Sequence, residues 1–402
     1  MKKKYDVVVW GASGFTGRLV CEYIFQEYTQ KGSDLKWAMA GRDLEKLKQI
    51  REKFADNTIP ILVADSDDTA SLNDLTKNTK VVCTTVGPYA KYGSKLVKAC
   101  IDNKAHYCDL AGEVQWMHKM INKHHDSAQK NEVKIVHTCG FDSIPSDMGV
   151  YFINKELKKN KLTIKSIDMR VAGIKGGISG GTYASLSNVI EDSYKDKNIH
   201  KILSNPYSLN PKGLQTGKDK KDLMKVVFDK ISNNWIGPFV MATINTKVVR
   251  RSNALSNFSY GTNFRYSEAT LAGKGFKGKI KGYLSAIPLI FVAAKPNSIL
   301  KKIANALLPN PGQGPSKIQR EDGYYNLKFY IKTEDNTEKI ARVIGDMDPG
   351  YGSTSKMLGE AAVCLAKDSL PEISGVLTPS TAMGDALLDR LEKYAGLTFN
   401  FK

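Results

Sequence analysis

The sequence has few cysteines and few histidines for its length, and none of them is arranged as a metal site. Six of each occur among 402 residues; no two cysteines form a C-x-x-C pair, and the histidines are not interleaved with them at zinc spacing. Most of the cysteines lie inside apolar segments, where a thiol packs as a small hydrophobic group. The sequence therefore excludes a zinc module, predicts no metal, and indicates a reducing, cytoplasmic compartment.

A long uncharged apolar run is also absent. The longest one, residues 282–294, is interrupted by Pro288 and closed by Lys295, and it is shorter than the roughly 18 residues that a membrane-spanning helix needs. Lysines flank this run and the apolar stretch 299–308 that follows. The whole segment 282–308 suits a peripheral membrane contact, the wall of an acyl-chain channel, or a buried core or dimer helix. These three interpretations stay open at the level of sequence.

Negative charge is scarce. There are 41 Asp and Glu residues against 59 Lys and Arg, so the formal net charge is +18. A charge of this size favours anionic partners such as acidic lipid surfaces or phosphorylated cofactors. The lysines are dispersed, and no arginine-rich run interleaved with aromatic residues marks a nucleic-acid groove. We therefore expect no nucleic-acid partner and a largely solvated basic surface.

The first 150 residues alternate short apolar runs with amphipathic stretches. Helices are predicted between strands, and the strands are expected at residues 5–10, 35–40, 59–64, 80–86, 106–110 and 133–137. Strands that are apolar throughout and separated by helices are typical of a parallel sheet covered on both faces. The sequence therefore predicts an α/β fold that begins with a Rossmann-type parallel sheet domain.

The pattern changes near residue 160. Longer runs, several of which alternate polar with apolar residues, predict antiparallel strands with one covered face at 163–171, 239–250, 258–271, 324–332 and 339–344. A polar stretch at 204–222 predicts a loop, and helical periodicity returns at 353–367 and 380–394. We therefore expect a second, mixed α/β domain that is built largely on an antiparallel sheet.

The most informative motif is the glycine loop, residues 11–17, which follows the first predicted strand and opens the first predicted helix. Gly11 permits a tight turn, Gly14 allows the backbone to approach a pyrophosphate, and Gly17 allows close packing of the helix on the strand. The helix end supplies free N–H groups and a positive dipole. The spacing G-x-x-G-x-x-G in this context predicts a dinucleotide site. Further candidate contacts in the loop are Ser13, Phe15 and Thr16.

The next strands indicate which dinucleotide binds. The second strand ends at Gly41-Arg42, where an NAD site has Asp or Glu; a guanidinium can instead hold a 2′-phosphate by a charge-assisted fork. NADP(H) is therefore the expected cofactor, and NAD is less favoured. Asp65, after the third strand, either lies by the adenine or caps a turn. Gly87 and Pro88 end the fourth strand and either face the nicotinamide ribose or form an ordinary turn.

Five motifs together resemble those of the saccharopine dehydrogenase-like oxidoreductases. They lie at residues 11–17, 40–42, 86–93, 107–113 and 140–149. Further matches extend the resemblance over nearly the whole chain, at 311–323, 350–352 and 375–385. The closer resemblance is to the branch that contains the mycobacterial trans-acting enoyl reductases and the animal saccharopine dehydrogenase-like oxidoreductase. It implies a nucleotide-binding domain at 1–150 plus about 350–402, and an inserted substrate or dimerisation domain at about 151–349.

The resemblance also implies a function. It points to an NADP-dependent oxidoreductase that reduces an activated double bond on a lipid or thioester-linked substrate during complex lipid assembly. A homodimer and a peripheral membrane contact through residues 282–308 are separate expectations. An amino-acid dehydrogenase of the saccharopine type is one alternative. A non-catalytic, lipid-associated adaptor that retains NADP(H) is the other. Arginines that converge in the cleft would favour the amino-acid enzyme, and the candidates are Arg170, Arg250, Arg251 and Arg265.

Reduction of a polarised C=C bond needs a hydride donor, an electrophile for the developing enolate, and a proton for the α-carbon. Tyr89 is the catalytic candidate, as an O–H donor beside the nicotinamide, or else it packs against the cofactor ring. Asp109 and Glu113 are expected either to bind ribose hydroxyls or a relay water, or to cap the helix that follows. Asp142 or Ser143 is predicted to cap the next helix.

Two further features remain open or structural at this level. His137 lies inside an apolar strand and is predicted to be a core residue. Residues 173–182 are rich in glycine. They either cradle an anion or a thioester carbonyl through backbone N–H groups, or form a flexible crossover.

Overall fold

The computed structural model describes residues 3–176, 180–295, 298–302 and 314–402. Within these residues the strands are β1 (Tyr5–Trp10), β2 (Trp37–Gly41), β3 (Ile61–Val63), β4 (Thr79–Thr84), β5 (His106–Cys108), β6 (Lys134–Val136), β7 (Ile164–Lys175), β8 (Val227–Asp229), β9 (Asn234–Gly237), β10 (Arg265–Gly273), β11 (Tyr324–Thr333), β12 (Glu338–Gly345), β13 (Gly375–Leu377) and β14 (Leu397–Phe401). The helices are α1 (Phe15–Ile24), α2 (Leu44–Glu52), α3 (Thr69–Lys77), α4 (Tyr89–Asp102), α5 (Val114–Lys130), α6 (Ile144–Lys159), α7 (Gly180–Lys195), α8 (Lys197–Ser204), α9 (Ala242–Leu255), α10 (Gly275–Ala293), α11 (Lys317–Glu321), α12 (Gly352–Lys367) and α13 (Pro379–Lys393).

The first sheet is parallel, with its seven strands in the order β13-β6-β5-β4-β1-β2-β3. The central strand β1 is buried along its whole length, because Val7 and Val9 pack into a core shared with α1 and α12 while Val8 and Trp10 pack into a core shared with α4 and α5. Because both faces of this strand are buried, its sequence is apolar along nearly its whole length. The predicted Rossmann-type sheet is confirmed.

The second sheet is mixed, in the order β14-β12-β11-β7-β10-β9-β8, with β7 and β10 parallel and the other neighbours antiparallel. Along β11 buried and more exposed residues alternate, so one face is covered, as predicted. On the covered face Gly149 of α6 lies against the Phe329 ring, where a Cβ would come within 2.7 Å of it. The final strand β14 pairs with β12, so the last residues of the chain are part of this second sheet rather than of the first.

One predicted strand is wrong. Residues 239–250 were expected to be a strand, and most of them belong to the helix α9. The β-branched residues Ile244, Thr246 and Val248 occupy every second position, which imitates the alternation of a strand. The helix packs against α6, α13 and β10 and is buried on nearly all sides, including its polar residues. A helix without an exposed face has no polar stripe from which its period could be recognised.

The predicted strand 258–271 begins later than expected, since β10 runs from Arg265 to Gly273. The loop and the two last helices agree with the prediction. Residues 205–226 form neither helix nor strand, which agrees with the loop predicted at 204–222. The helices α12 and α13 begin and end within one residue of the predicted 353–367 and 380–394.

Candidate functional site

The glycine loop follows β1 with a geometry that explains two of its three glycines. Gly11 has a φ of +89°, and a Cβ on it would lie 2.6 Å from Val86 Cγ2. A Cβ on Gly17 would lie 2.1 Å from the carbonyl oxygen of Gly11. Both positions therefore need glycine for packing. A Cβ on Gly14 would meet one atom within 4 Å, the Gly11 carbonyl oxygen at 3.3 Å, so this side of the loop is open to a ligand.

The N-terminus of α1 fits an anion. Gly14 is the N-cap residue, no side chain caps the helix, and the first turn has no acidic residue. The N–H groups at this end and the positive end of the helix dipole favour a phosphate group there. Ser13 and Thr16 are half-buried in the same loop. The residues present thus match the pyrophosphate of a dinucleotide.

The Phe15 side chain packs on the protein. Its ring meets Tyr351 edge-on at a centroid distance of 4.8 Å. The guanidinium carbons of Arg18 and Arg320 lie 5.5 and 5.9 Å from the ring centroid, and a Cβ on Gly314 would lie 2.4 Å from a ring carbon. Phe15 therefore ties the glycine loop to the C-terminal part of the chain. Its backbone N–H, rather than its ring, is the group we expect to meet a cofactor.

Arg42 stands at the end of β2 and is exposed, and none of the described residues forms a hydrogen bond or an ion pair with it. The neighbouring Asp43 is occupied as the cap of α2, since its carboxylate accepts a hydrogen bond from the Lys46 N–H at 3.1 Å. The end of β2 borders the glycine loop, because a Cβ on Gly41 would lie 3.7 Å from Ser13 Oγ. An unengaged guanidinium beside this loop fits a 2′-phosphate.

The loops after β3 and β4 lie at the same carboxyl-terminal edge of the first sheet. Asp65 is exposed, and its Oδ1 accepts a hydrogen bond from the Asp67 N–H at 2.8 Å, so it caps a turn. Gly87 is exposed, and Pro88 is the N-cap residue of α4. In open parallel sheets ligands bind at this edge. The contacts of Asp65, Gly87 and Pro88 with a cofactor stay predictions.

The structure gives Tyr89 a packing role. The residue is buried, and its hydroxyl donates to the Thr84 carbonyl oxygen at 3.3 Å and accepts from the Leu110 N–H at 3.1 Å. Its ring stacks on Trp116 at a centroid distance of 5.6 Å. Burial, followed by the charge of Asp109, raises the pKa of the hydroxyl well above its usual value. Backbone groups thus engage this hydroxyl both as a donor and as an acceptor, so Tyr89 does not serve as the proton donor in the proposal below.

Glu113 caps a helix, but not the one that follows it. Its carboxylate accepts hydrogen bonds from the N–H groups of Tyr89 at 2.7 Å and Ala90 at 2.8 Å, the first two residues of α4. Burial, the largest cause, raises the pKa of Glu113 above its usual value although these two bonds oppose the shift. The carboxylate therefore fixes α4 beside β5, and a cofactor hydroxyl would have to compete with two backbone donors.

Asp109 and His137 form a buried pair beneath the same edge. Asp109 Oδ2 lies 2.8 Å from His137 Nδ1 and accepts from the Tyr107 hydroxyl at 2.8 Å. Asp109 Oδ1 accepts from the N–H groups of Ala111 and Thr138. Four partners satisfy this carboxylate inside the protein. Both residues are at most 2% exposed, so His137 is a core residue, as predicted, and Asp109 is an anchor between β5 and β6.

Asp142 is the acidic group at this edge that the sequence did not single out for chemistry. It is half-buried in the turn between β6 and α6, and none of the described residues hydrogen-bonds to its carboxyl group. Burial, with the charge of Asp109 as a second cause, raises its pKa to about 7. A carboxyl group of this kind carries a proton near neutral pH and can give it up.

The prediction that Asp142 or Ser143 caps α6 was wrong. Ser143 is the N-cap residue by position, but its side chain makes no capping bond and donates instead to Asn245 Oδ1 at 3.2 Å. Asn245 Nδ2 in turn donates to Glu268 Oε2 at 3.0 Å, and the Tyr266 hydroxyl donates to Glu268 Oε1 at 2.8 Å. Burial raises the pKa of Glu268 to about 7. The sequence pattern does not indicate this network, because residues 239–250 alternate like a strand although most of them form α9.

The arginines that could have formed a carboxylate site do not meet at the nucleotide edge. Arg170, Arg250 and Arg265 line a cavity of about 1130 Å³ on the polar face of the second sheet. Arg170 is paired there with Asp229 at 3.0 Å, and Arg250 is paired with Asp219. The glycine loop contributes nothing to the lining of this cavity.

Arg251 is separate from these three. It is buried and donates to the carbonyl oxygens of Leu209 and Val376. Burial lowers its pKa to about 9. It therefore ties the loop 205–226 to β13, and its guanidinium is not available to a substrate.

Some predicted features lie partly outside the described residues. These are residues 177–179 of the glycine-rich stretch 173–182, residues 296–297 and 303–308 of the apolar segment 282–308, and residues 311–313 of one motif. Within the described residues, no group of three or more His, Cys, Asp or Glu side chains could hold a metal ion. No helix of that part of the chain is long and apolar enough to cross a membrane. All six cysteines are buried, and none is in a disulfide.

Comparison with known proteins finds relatives that match over nearly the whole chain. Residues 7–136 match the family described as the saccharopine dehydrogenase NADP binding domain. A Mycobacterium tuberculosis protein described as a candidate trans-acting enoyl reductase is 36% identical over 409 residues, covering 97% of this chain and 96% of that protein. The trans-acting enoyl reductase of Mycobacterium ulcerans is 32% identical with the same coverage. The fold is similar to that of saccharopine dehydrogenase (L-Glu forming) from Saccharomyces cerevisiae, with a TM-score of 0.54, 14% identity, and coverage of 98% and 99%.

Proposed function

Since the chain belongs to the saccharopine dehydrogenase-like family that includes the trans-acting enoyl reductases, we propose that it uses NADPH to reduce an activated double bond on a lipid or thioester-linked substrate. The observation that carries the proposal is the position of Asp142. This carboxyl group, with a pKa of about 7, stands at the sheet edge that also holds the glycine loop. The names of the relatives support the reaction class, and the fold alone does not.

Different residues of the chain would bind different parts of the cofactor. The N-terminus of α1 and the open side of Gly14 would hold the pyrophosphate, and Arg42 would hold the 2′-phosphate. Gly87 and Pro88 would border the nicotinamide ribose. When bound, NADPH supplies a hydride to the β-carbon of the substrate. The chain must then supply a proton to the α-carbon, and we assign that proton to the Asp142 carboxyl group.

The loss of the Arg42 guanidinium is expected to weaken NADPH far more than NADH. In Arg42→Ala the charge-assisted contact with the 2′-phosphate is lost, and such a contact contributes about 2 kcal/mol, or roughly 30-fold in Kd. NADH has a hydroxyl at that position and should be almost unaffected. Fluorescence titration of both nucleotides measures the effect. Lys46→Ala removes a nearby exposed charge from α2 and is the control; equal weakening of both nucleotides by Arg42→Ala would refute the assignment.

The reaction class is tested with 2-enoyl thioesters of increasing chain length as probes. We expect saturable oxidation of NADPH and the saturated thioester as product. If NADPH binds but no enoyl thioester is turned over, the chain is an adaptor that retains the nucleotide. If an oxo acid and an amino acid consume NADPH instead, it is an amino-acid dehydrogenase. Arg170 and Arg250 are each paired with an aspartate, so neither guanidinium is free to bind a substrate carboxylate.

A further inference from the structure

Helix α10 carries a long apolar stripe that is open to solvent and that the proposed reaction does not use. The stripe consists of six large side chains, each three or four residues from another member, namely Phe276, Ile280, Tyr283, Leu284, Ile287 and Ile290. Phe276 is 77% exposed, and Tyr283 and Leu284 are each 58% exposed. Residues at this spacing lie on one side of a helix along four turns. Exposed apolar surface of this extent marks an interaction site in a soluble domain.

The opposite face of α10 is fixed on the second sheet. The helix packs against β9 and β10. A Cβ on Gly282 would lie 2.6 Å from Val226 Cγ1, and a Cβ on Gly237 of β9 would lie 2.3 Å from Ser285 Oγ. These close approaches, together with a contact with α7, fix this face of the helix, so that the stripe and the residues beside it face outward. The stripe is therefore presented as a ridge rather than as a groove.

Positive charge borders the stripe on both sides. The helix contains Lys277, Lys279 and Lys281 and no acidic residue. At 3.6 residues per turn, Lys277 and Lys281 follow one border and Lys279 follows the other. The Lys279 ammonium lies 5.2 Å from the centroid of the Trp235 ring, which holds it beside the helix. Lysines can lay their aliphatic stems along an apolar surface and keep the ammonium in water.

We propose that the stripe of α10 binds the surface of an anionic lipid bilayer. The apolar side chains would enter the boundary between headgroups and acyl chains, and the bordering lysines would contact the headgroup phosphates. A second copy of this chain fits less well, because two facing stripes would bring lysines together with no acidic residue of the helix to pair with them. Charge complementarity thus selects the membrane. The proposal is independent of the reaction, since none of the residues assigned to the cofactor or to proton transfer belongs to α10.

Flotation with lipid vesicles tests the proposal on the full chain. The probes are phosphatidylcholine vesicles with and without about one third phosphatidylserine. Wild type is expected to float with the anionic vesicles, and Leu284→Glu is expected to reduce the bound fraction roughly tenfold or more, because a charge is placed in the apolar boundary. The double variant Lys277→Glu with Lys281→Glu should lose binding to the anionic vesicles, and added salt should weaken wild type as well.

Ile318→Glu is the matched control, because Ile318 is 77% exposed on α11, outside the stripe. It should float like wild type. Unchanged thermal unfolding and NADPH affinity of Leu284→Glu would show that the fold and the nucleotide site are intact. The proposal is overturned if wild type does not float, if Leu284→Glu floats like wild type, or if light scattering shows a dimer that Leu284→Glu dissociates while no variant floats.

Discussion

Gly14→Val is expected to abolish NADPH binding and to leave the protein folded. A Cβ at this position would meet the Gly11 carbonyl oxygen at 3.3 Å and no other atom within 4 Å, so the folded chain has room for a side chain. The added methyl groups would instead occupy the place where the pyrophosphate approaches the N-terminus of α1. We expect Kd to rise by roughly 100-fold or more, since several backbone contacts are lost together. Titration calorimetry and circular dichroism measure the two properties.

Gly17→Ala is the contrasting variant in the same loop. Its Cβ would lie 2.1 Å from the Gly11 carbonyl oxygen, and the clash can be relieved only if the backbone of the loop moves. We expect a loss of about 2 kcal/mol or more in the free energy of unfolding, because overpacking a tight contact forces the backbone to shift. Urea denaturation measures it. A folded Gly14→Val variant that still binds NADPH with wild-type affinity would show that the pyrophosphate lies elsewhere.

Asp142→Asn is expected to lower the rate of enoyl reduction about 100-fold while NADPH affinity stays unchanged. The amide has the same shape as the carboxyl group but cannot supply the proton to the α-carbon, and general acids contribute on this order to a rate. Folding should not suffer above neutral pH. In the folded protein the pKa of Asp142 is raised to about 7, so at higher pH the ionised carboxylate disfavours the folded state. The neutral amide of Asn removes that effect.

The pH profile separates proton transfer from a structural role of Asp142. The protonated form is present below pH 7 and is lost as pH rises through about 7, so the wild-type rate should fall above that value. The residual rate of Asp142→Asn should be flat across the same range. Asp126→Asn removes an exposed carboxylate from α5 and should behave like wild type. A parallel pH profile in Asp142→Asn and wild type would assign the proton to another group.

The glycine loop and the first sheet could be predicted because their signals are local. Because β1 is buried on both faces, it is apolar along nearly its whole length. In the loop that follows, Gly17 is needed for a contact with Gly11, and Gly11 is needed for a contact with Val86 just after β4. The resemblance to the saccharopine dehydrogenase-like oxidoreductases, carried by such loops, is confirmed by the relatives. The α/β class with its second mixed sheet is confirmed as well.

The acidic residues of the site were harder to interpret because their roles depend on distant parts of the chain. Glu113 caps α4, which begins 24 residues before it, whereas a local capping rule assigns it to the next helix. The raised pKa of Asp142 depends on burial and on Asp109, which lies 33 residues earlier in the chain, directly after β5. Asn245 lies on the buried helix α9, whose sequence resembles that of a strand, so its hydrogen bond to Glu268 could not be predicted. None of these relations leaves a periodic signal in the sequence.

The central claim is that the N-terminus of α1 and Arg42 together hold an NADP(H) molecule. Titration of the purified wild-type chain with NADPH and with NADH, followed by nucleotide fluorescence, tests it directly. We predict saturable binding of one NADPH per chain and a Kd for NADH that is roughly 30-fold higher, which corresponds to the about 2 kcal/mol of the 2′-phosphate contact. Binding of neither nucleotide, or tighter binding of NADH than of NADPH, would contradict it.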